Sequence, residues 1–206
     1  EQALLEFLSP SAGAGPKMLH SFTKYHDYKA SNFLNDILQL LDSGQTVILD
    51  LSNADEELLR YYSEELSKAV FKHQTTKFTD NNLGDHYIQL YFEEAHNLFP
   101  RDVDNQDIFS RLAKEGAKYH IGMVYSTQSP STINRDLLAQ TENFFVVHLS
   151  SKDDINTLER TNINYSDIGK DLLRVKSVGY SFMCTRSHRF VVPVQIDKFP
   201  LRGKKS

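Results

Sequence analysis

Short apolar runs that alternate with amphipathic helical patterns constrain the fold of this chain more than any other feature of its sequence. Four such runs are too short for buried helices and rich in β-branched or aromatic residues, which is typical of strands. They cover residues 46–52, 86–92, 120–127 and 143–149. Because helical patterns separate these runs, the sequence predicts an α/β fold in which helices flank both faces of a parallel sheet, giving three layers.

The predicted helices have recognisable ends. Ser31 is placed to cap a helix that stops at Gly44, with an apolar face formed by Phe33, Leu34, Ile37, Leu38 and Leu41. Further helices are predicted over residues 54–73, 106–118, 133–140, 151–160 and 165–175. Residues 178–185 and 190–196 then predict a C-terminal β-hairpin, with a domain seam near residues 175–177.

Length and charge exclude several classes of protein. A chain of 206 residues fits one domain with a small appendage, and its net charge of −4 means that any nucleic-acid contact depends on a local basic feature. Cys184 is the only cysteine, which excludes an intramolecular disulfide and a cysteine-based zinc cluster. No apolar run is long enough to span a membrane. We therefore expect a soluble protein of a reducing compartment, the cytoplasm.

Polar residues follow two of the predicted strands, where parallel sheets place their chemistry. Glu93 and Glu94 come directly after residues 86–92, and a charged pair at the end of a buried strand is costly without a partner or a task. In nucleotide hydrolases a strand-end acid holds Mg²⁺, directly or through water, and a second carboxylate polarises the attacking water. These roles would fall to Glu93 and Glu94 respectively. The alternative is that the two acids open the next turn as solvated charges.

Gln128 follows the next predicted strand. Beside the acid pair, its amide could bond both the terminal phosphate of a nucleotide and the attacking water, and so sense the phosphate. The alternative is that Gln128 caps local backbone in the turn that ends at Pro130.

Three segments resemble a known family. Residues 47–71, 87–100 (YIQLYFEEAHNLFP) and 110–149 (which include STQSPS) resemble, in order and spacing, the C-terminal half of a HerA–FtsK-type motor ATPase. The similarity is greater to the HerA-like branch of hexameric DNA translocases and helicases. It implies a RecA-like fold, with residues 1–175 as the C-terminal portion of the ATPase domain and residues 176–206 as the hairpin and a basic tail.

The resemblance also implies roles for single residues. Glu93 corresponds to the magnesium-associated Walker B acid, Glu94 to the catalytic glutamate and Gln128 to the sensor. ATP and Mg²⁺ are then the cofactors, and double-stranded DNA, a homo-hexamer and a nuclease or defence effector are the implied partners. Arg101 lies where relatives place a DNA-facing loop, although Asp102 and Asp104 beside it disfavour phosphate contact.

Two departures from the family pattern limit what the chain can do. None of its nine glycines begins a G-x-x-x-x-G-K-[ST] phosphate-binding loop. In addition, Ala117 stands where relatives carry the arginine of a Gly-Arg-Lys segment, and Lys118, Lys114 or Arg111 are the candidates to replace it.

Two interpretations follow from these departures. The chain is either a C-terminal portion of a longer active motor or a catalytically inactive pseudo-ATPase used for assembly or partner docking. Under either interpretation we expect the isolated chain to lack ATPase activity.

Overall fold

The computed structural model describes residues 2–11, 13, 15–21, 33–51, 53–101 and 107–199. The chain divides into two compact units, Glu1–Val47 and Ile48–Ser206. None of the helices among the described residues is long and apolar enough to cross a lipid bilayer.

The first unit contains two α-helices, α1 (Gln2–Leu8) and α2 (Phe33–Asp42), and a 3₁₀ helix at Gly15–Ser21. Helix α2 ends as predicted, because Gly44 takes a positive φ of 74° and its N–H bonds the carbonyl of Leu41 at 2.9 Å. The predicted cap, Ser31, lies outside the described residues.

The strand predicted over residues 46–52 is wrong. Residues 46–51 form no strand, and Ile48 is 88% exposed and Leu49 39% exposed. An apolar run indicates a need for burial, but a strand also requires a neighbouring strand to satisfy its backbone N–H and C=O groups. Among the described residues, no strand pairs with this segment.

The second unit contains the remaining elements. Its helices are α3 (Glu56–Thr79), α4 (Ile108–Glu115), α5 (Arg135–Ala139), α6 (Lys152–Thr161) and α7 (Gly169–Arg174). Its strands are β1 (Ile88–Phe92), β2 (Ile121–Tyr125), β3 (Phe144–Val146), β4 (Tyr180–Thr185) and β5 (His188–Gln195). Short 3₁₀ helices cover Ala95–Asn97, Gly116–Tyr119, Pro130–Thr132 and Ile163–Tyr165. This mixed α/β composition agrees with the predicted fold class.

Helix ends in the second unit follow local chemistry. Asp55 caps α3 by accepting a hydrogen bond from the N–H of Leu58 at 2.9 Å, and Ser151 caps α6 through Asp153, as the sequence predicted for residues 150–151. Helix α3 continues to Thr79, beyond its predicted end at residue 73.

Strands β1 and β2 form a parallel pair, as predicted. Ile88 lies opposite Ile121 and Phe92 opposite Tyr125. The ladder continues past the strand ends, because the N–H of Ser126 bonds the carbonyl of Phe92 at 2.9 Å. The C-terminal ends of both strands therefore meet at one edge of the sheet.

The predicted membership of residues 143–149 in the parallel sheet is wrong for the described residues. Strand β3 instead runs antiparallel to β4, with Phe144 opposite Cys184 and Val146 opposite Phe182. Strand β4 pairs in turn with β5, which confirms the predicted hairpin. Strand β3 therefore belongs to the same sheet as the hairpin. The seam predicted near residues 175–177 lies within the second unit. The separation of residues 176–206 from residues 1–175 stays a prediction.

Two apolar clusters support the two sheets. Beneath the antiparallel sheet lie the buried residues Leu149, Ile155, Leu158, Tyr165, Leu172, Phe182 and Cys184. Beside the parallel pair, Phe92, Phe99 and Phe109 contact one another with ring centroids 4.5–5.4 Å apart. These rings hold the segment that follows β1 against α4, and that segment carries the acid pair.

Candidate functional site

Glu93 is the first residue after β1, and its side chain is exposed. Its carboxylate accepts a hydrogen bond from the hydroxyl of Ser126, the first residue after β2. Since the two strands are parallel and adjacent, this contact joins their C-terminal ends. The sequence did not point to Ser126, because this residue lies inside the strand predicted over residues 120–127, whereas β2 ends at Tyr125.

Glu94 has a left-handed backbone, with φ of 49° and ψ of 49°. Residues with a Cβ atom pay roughly 1–2 kcal/mol for this conformation. Neighbouring hydrogen bonds hold it in place. The N–H of buried Ala95 bonds the carbonyl of Ser126 at 2.8 Å, and the N–H of Asn97 bonds the carbonyl of Glu94 at 3.0 Å. Strain of this kind occurs at functional sites, where the surroundings impose it.

The Glu94 carboxylate makes two polar contacts. The amide Nε2 of Gln128 donates to its Oε1 at 3.0 Å, and Nδ1 of His96 lies 3.4 Å from its Oε2. Nδ1 of His96 is buried and makes no hydrogen bond within the described residues. His96 therefore lies beside the Glu94 carboxylate.

The structure thus brings Glu93, Glu94 and Gln128 together at the C-terminal edge of the parallel pair. Each glutamate side chain has its own hydrogen-bond partner, Ser126 for Glu93 and Gln128 for Glu94. The side-chain NH₂ group and carbonyl oxygen of Gln128 retain hydrogen-bonding capacity beyond the bond to Glu94. The catalytic, metal-binding and sensing roles of these residues stay predictions.

The site fits Mg²⁺ better than it fits a whole nucleotide. Mg²⁺ in phosphate-transfer sites takes one or two carboxylates and fills its other positions with water and phosphate oxygens, so exposed Glu93 with Ser126 beside it is a suitable anchor. No cluster of three or more histidine, cysteine or acidic residues able to hold a metal exists in the described part of the chain. A phosphate-binding loop is missing from the sequence, so the residues present fit only the metal and terminal-phosphate end of ATP.

The three candidates to replace the missing arginine all have other contacts. Lys118 Nζ lies 5.1 Å from the ring centroid of Phe78, and Lys114 Nζ lies 2.9 Å from a carboxylate oxygen of Asp136. The Arg111 guanidinium lies 4.6 Å from the ring centroid of Phe71 and also faces Glu115.

Ala117 itself lies just before β2, at the end of the parallel pair opposite the acid pair. None of these four positions therefore joins the acid site within one copy of the chain.

Arg101 is exposed and directly follows Pro100. Pro100 forms an isolated β-bridge with Ile133, and the N–H of Asn134 bonds the carbonyl of Phe99 at 3.0 Å. These contacts fasten the segment before Arg101 to the turn that follows Gln128.

Several known proteins are similar to this chain in sequence. No family model matches the sequence. The DNA double-strand break repair helicase HerA of Sulfurisphaera tokodaii is 22% identical over 167 residues, which cover 80% of this chain and 34% of the helicase. HerA of Saccharolobus solfataricus is 22% identical over 195 residues, covering 91% of this chain and 39% of that protein. The chain is similar in sequence to HerA helicases. The resemblance predicted from its motifs is confirmed.

The HerA-like chain spans little more than a third of the length of these relatives, at 34% and 39%. Its fold is also shared by the genome packaging NTPase B204 from Sulfolobus turreted icosahedral virus 2. The complex of that NTPase with ATP-gammaS superposes with a TM-score of 0.60 over 85% of this chain and 76% of the NTPase, at 11% identity. The AMPPCP complex gives a TM-score of 0.55 over 68% of this chain and 63% of the NTPase, also at 11% identity. At such low identity the likeness concerns the fold alone.

Proposed function

We propose that the chain is the part of a HerA-like, ATP-driven DNA translocase or helicase that carries the hydrolytic end of the nucleotide site. The observation that supports this most strongly is the contact of Gln128 with Glu94, next to Glu93 and its partner Ser126. In the whole protein, a RecA-like three-layer arrangement would add further strands beside β1 and β2.

Glu93, Glu94 and Gln128 divide the work in this proposal. Glu93 would hold Mg²⁺, directly or through water, and the ion when bound would supply positive charge beside the phosphates. Glu94 accepts the proton of the attacking water, and Gln128 orients both the Glu94 carboxylate and that water. The hydrogen bond from Gln128 orients the Glu94 carboxylate, which favours catalysis by a preorganised group.

The partners in this proposal follow the relatives. Proteins named as DNA repair helicases point to double-stranded DNA as the substrate on which the motor works. We propose a homo-hexameric ring with nucleotide between subunits, a nuclease or defence effector as a working partner, and a cytoplasmic location. Ala117 and its neighbours, at the opposite end of the parallel pair, would then face a different nucleotide from the one at Glu94.

A pseudo-ATPase that serves assembly or partner docking is the second candidate. It is favoured by the missing phosphate-binding loop and by Ala117 in place of an arginine. The coding region upstream of Glu1 separates the two candidates. A G-x-x-x-x-G-K-[ST] sequence there favours the motor, and its absence favours the pseudo-ATPase.

The substitution Glu94→Gln in the full-length protein tests the motor directly. We expect a loss of ATP turnover of about 10²–10⁴-fold with nucleotide binding preserved, because glutamine keeps the size of glutamate but cannot accept a proton. Steady-state hydrolysis and binding of a labelled nucleotide measure the two effects.

Glu65→Gln is the matched control, since Glu65 lies in α3 and its carboxylate pairs with Lys68 of the same helix, 3.0 Å away. Hydrolysis by Glu94→Gln at the rate of the wild type would remove Glu94 from the catalytic role. Robust turnover by the 206-residue chain alone would refute the account of phosphate binding.

A further inference from the structure

Two stacked rings lie at the N-terminal end of the parallel pair, at the opposite end from Glu93 and Glu94. Tyr87 directly precedes β1, and His120 directly precedes β2. Their ring centroids are 4.2 Å apart, and the ring planes differ by 14°. The N–H of Ile88 bonds the carbonyl of His120 at 2.9 Å, so the two rings continue the ladder of the sheet. We call Tyr87 and His120 the ring stack.

His120 is held in a conformation that costs free energy. Its φ is 56° and its ψ is 37°, in the left-handed region where a Cβ atom is strained. Its backbone N–H bonds the carbonyl of Ala117 at 3.3 Å. Its ring Nδ1 is buried and has no hydrogen-bond partner in the part of the chain that the structure describes. Backbone strain and an unpartnered buried atom both lower stability, and features of this kind concentrate at functional sites.

Tyr87 presents an open aromatic surface. One face of its ring lies against His120, yet the residue is 73% exposed, so the other face is accessible to a ligand. His120 supports the ring from below, which lowers the entropy lost when a ligand binds on top. A flat aromatic ligand suits such a surface, because parallel rings stack favourably and every nucleobase has a π-face.

We infer that the exposed face of Tyr87 stacks on the base of the nucleotide held by a neighbouring copy of the chain. This inference rests on the proposed function, in which the copies form a ring and the end of the parallel pair that carries Ala117 faces the neighbour's nucleotide. The hydrogen bond from His120 to Ala117 places the ring stack at that end. His120 is then a positioning residue, because it touches the Tyr87 ring and not the base.

The ring stack also bears on the substitution at position 117. Ala117 cannot make the phosphate contact that an arginine makes. A base contact through Tyr87 supplies affinity for the same nucleotide without a cation. The contact made by the neighbouring copy thus moves from the phosphates to the base.

Two ligands that differ in the base test the inference in the full-length protein. β,γ-Methylene ATP has a base and is not hydrolysed, whereas inorganic tripolyphosphate has three phosphates and no base. We expect Tyr87→Ala to weaken binding of the ATP analogue about 5–150-fold, the loss expected for one stacked base. Binding of tripolyphosphate should not change. Isothermal titration calorimetry with each ligand measures both affinities.

Three further variants sharpen the test. Tyr87→Phe keeps the ring, so we expect affinities like those of the wild type. His120→Asn removes the supporting ring but tolerates the left-handed backbone, so we expect a smaller loss than for Tyr87→Ala, again for the ATP analogue alone. Tyr61→Ala is the matched control, because Tyr61 is a 57% exposed tyrosine of α3 whose ring contacts Tyr62 instead. This variant should bind both ligands like the wild type.

Assembly tests whether the base belongs to a neighbouring copy. Mass photometry gives the protein concentration at which the copies associate. Below that concentration we expect Tyr87→Ala and the wild type to bind the ATP analogue equally well. A difference between them that persists in dissociated copies would overturn the contact with the neighbour.

Unchanged binding of the ATP analogue by Tyr87→Ala would overturn the inference. An equal loss for both ligands would overturn it as well, because Tyr87 would then act only on the structure of the site. Loss of turnover in Glu94→Gln together with either result would leave the proposed function standing without the base contact. Wild-type turnover in Glu94→Gln with a selective loss in Tyr87→Ala would have the opposite meaning. Failure of the full-length protein to bind either ligand would overturn both proposals.

Discussion

Glu94 combines a backbone conformation that costs free energy with a side chain that contacts both Gln128 and His96. Glycine adopts positive φ angles without a penalty from Cβ, so a sequence optimised for folding alone would favour glycine here. The strain is local, because flanking hydrogen bonds to Ser126 and from Asn97 impose it.

Replacing Glu94 by glycine is therefore expected to stabilise the chain. We expect the free energy of unfolding to rise by about 0.5–1 kcal/mol, since relief of the left-handed strain exceeds the added entropy of the unfolded chain. Urea denaturation followed by circular dichroism measures the change.

Glu93→Gly is the matched control, because Glu93 has no positive φ and should lose stability on the same substitution. Equal destabilisation by both glycines would contradict the left-handed conformation at position 94.

The sequence predicted that Glu93, Glu94 and Gln128 lie close together, but not the contacts that hold them. Glu93, Glu94 and Gln128 were recognisable from their place directly after apolar strands, where a polar or charged group is costly without a partner or a task. The positive φ of Glu94 and the hydroxyl of Ser126 were not predictable, since both depend on how β2 continues past its end. The partners of Lys114 and Lys118 likewise depend on packing between elements that are distant in sequence.

At the level of elements, Tyr165 connects the 3₁₀ helix Ile163–Tyr165 to the antiparallel sheet. Its ring is fully buried, and its hydroxyl donates to the carbonyl of Phe182 in β4 at 2.9 Å. The same hydroxyl lies 3.5 Å from the carbonyl of Phe144 in β3. Burial raises the pKa of Tyr165 well above its ordinary value of 10.0, because the charged phenolate is poorly solvated there.

This shift makes part of the stability sensitive to alkali. The unfolded chain loses the Tyr165 proton near pH 10 and the folded chain does not, so the free energy of unfolding falls as pH rises above about 10. At pH 7 we expect Tyr165→Phe to cost about 1 kcal/mol through the lost hydrogen bond. The difference in free energy of unfolding between the wild type and Tyr165→Phe should shrink between about pH 9.5 and 11, where tyrosine ionises. Denaturation experiments at several pH values measure it. A deficit that stays constant across this range would contradict the raised pKa.

Elements were predictable where their signals are local. Strands β1 and β2, helix α6 with its cap Ser151, and the β4–β5 hairpin follow from periodicity, capping and turn residues. Strand pairing was not predictable in the same way, because an apolar run specifies burial but not the partner strand or its direction. The predictions for residues 46–52 and for strand β3 were wrong for this reason. Strand β3 is short and its partner β4 lies more than thirty residues further along the chain, so its antiparallel pairing required the three-dimensional structure.

At the scale of the molecule, the boundary between the two units falls at Val47 and Ile48, inside the segment predicted as a strand. Residues 45–51 have no regular structure, and Ile48 is 88% exposed. Exposed apolar residues in extended backbone are good substrates for proteases, because cleavage requires local access to the chain.

Limited proteolysis of the 206-residue chain is expected to reveal this boundary. Thermolysin should cut before Val47, Ile48 or Leu49 earlier than at any apolar residue of β1 or β2, since strand residues must first unfold locally. Mass spectrometry of early time points identifies the fragments. Earlier cuts inside β1 or β2 would contradict the boundary. As a control, Ile48→Pro should slow cleavage at this exposed position.

Cys184 gives this molecule an internal reporter. This residue of β4 is 4% exposed, its sulfur lies 3.6 Å from the side-chain amide nitrogen of Asn164, and it is the only cysteine in the sequence. Alkylating reagents attack only an accessible thiolate, so the intact sheet shields this atom. The rate at which iodoacetamide alkylates Cys184 therefore reports how often the hairpin opens away from its neighbours, and no engineered label is needed.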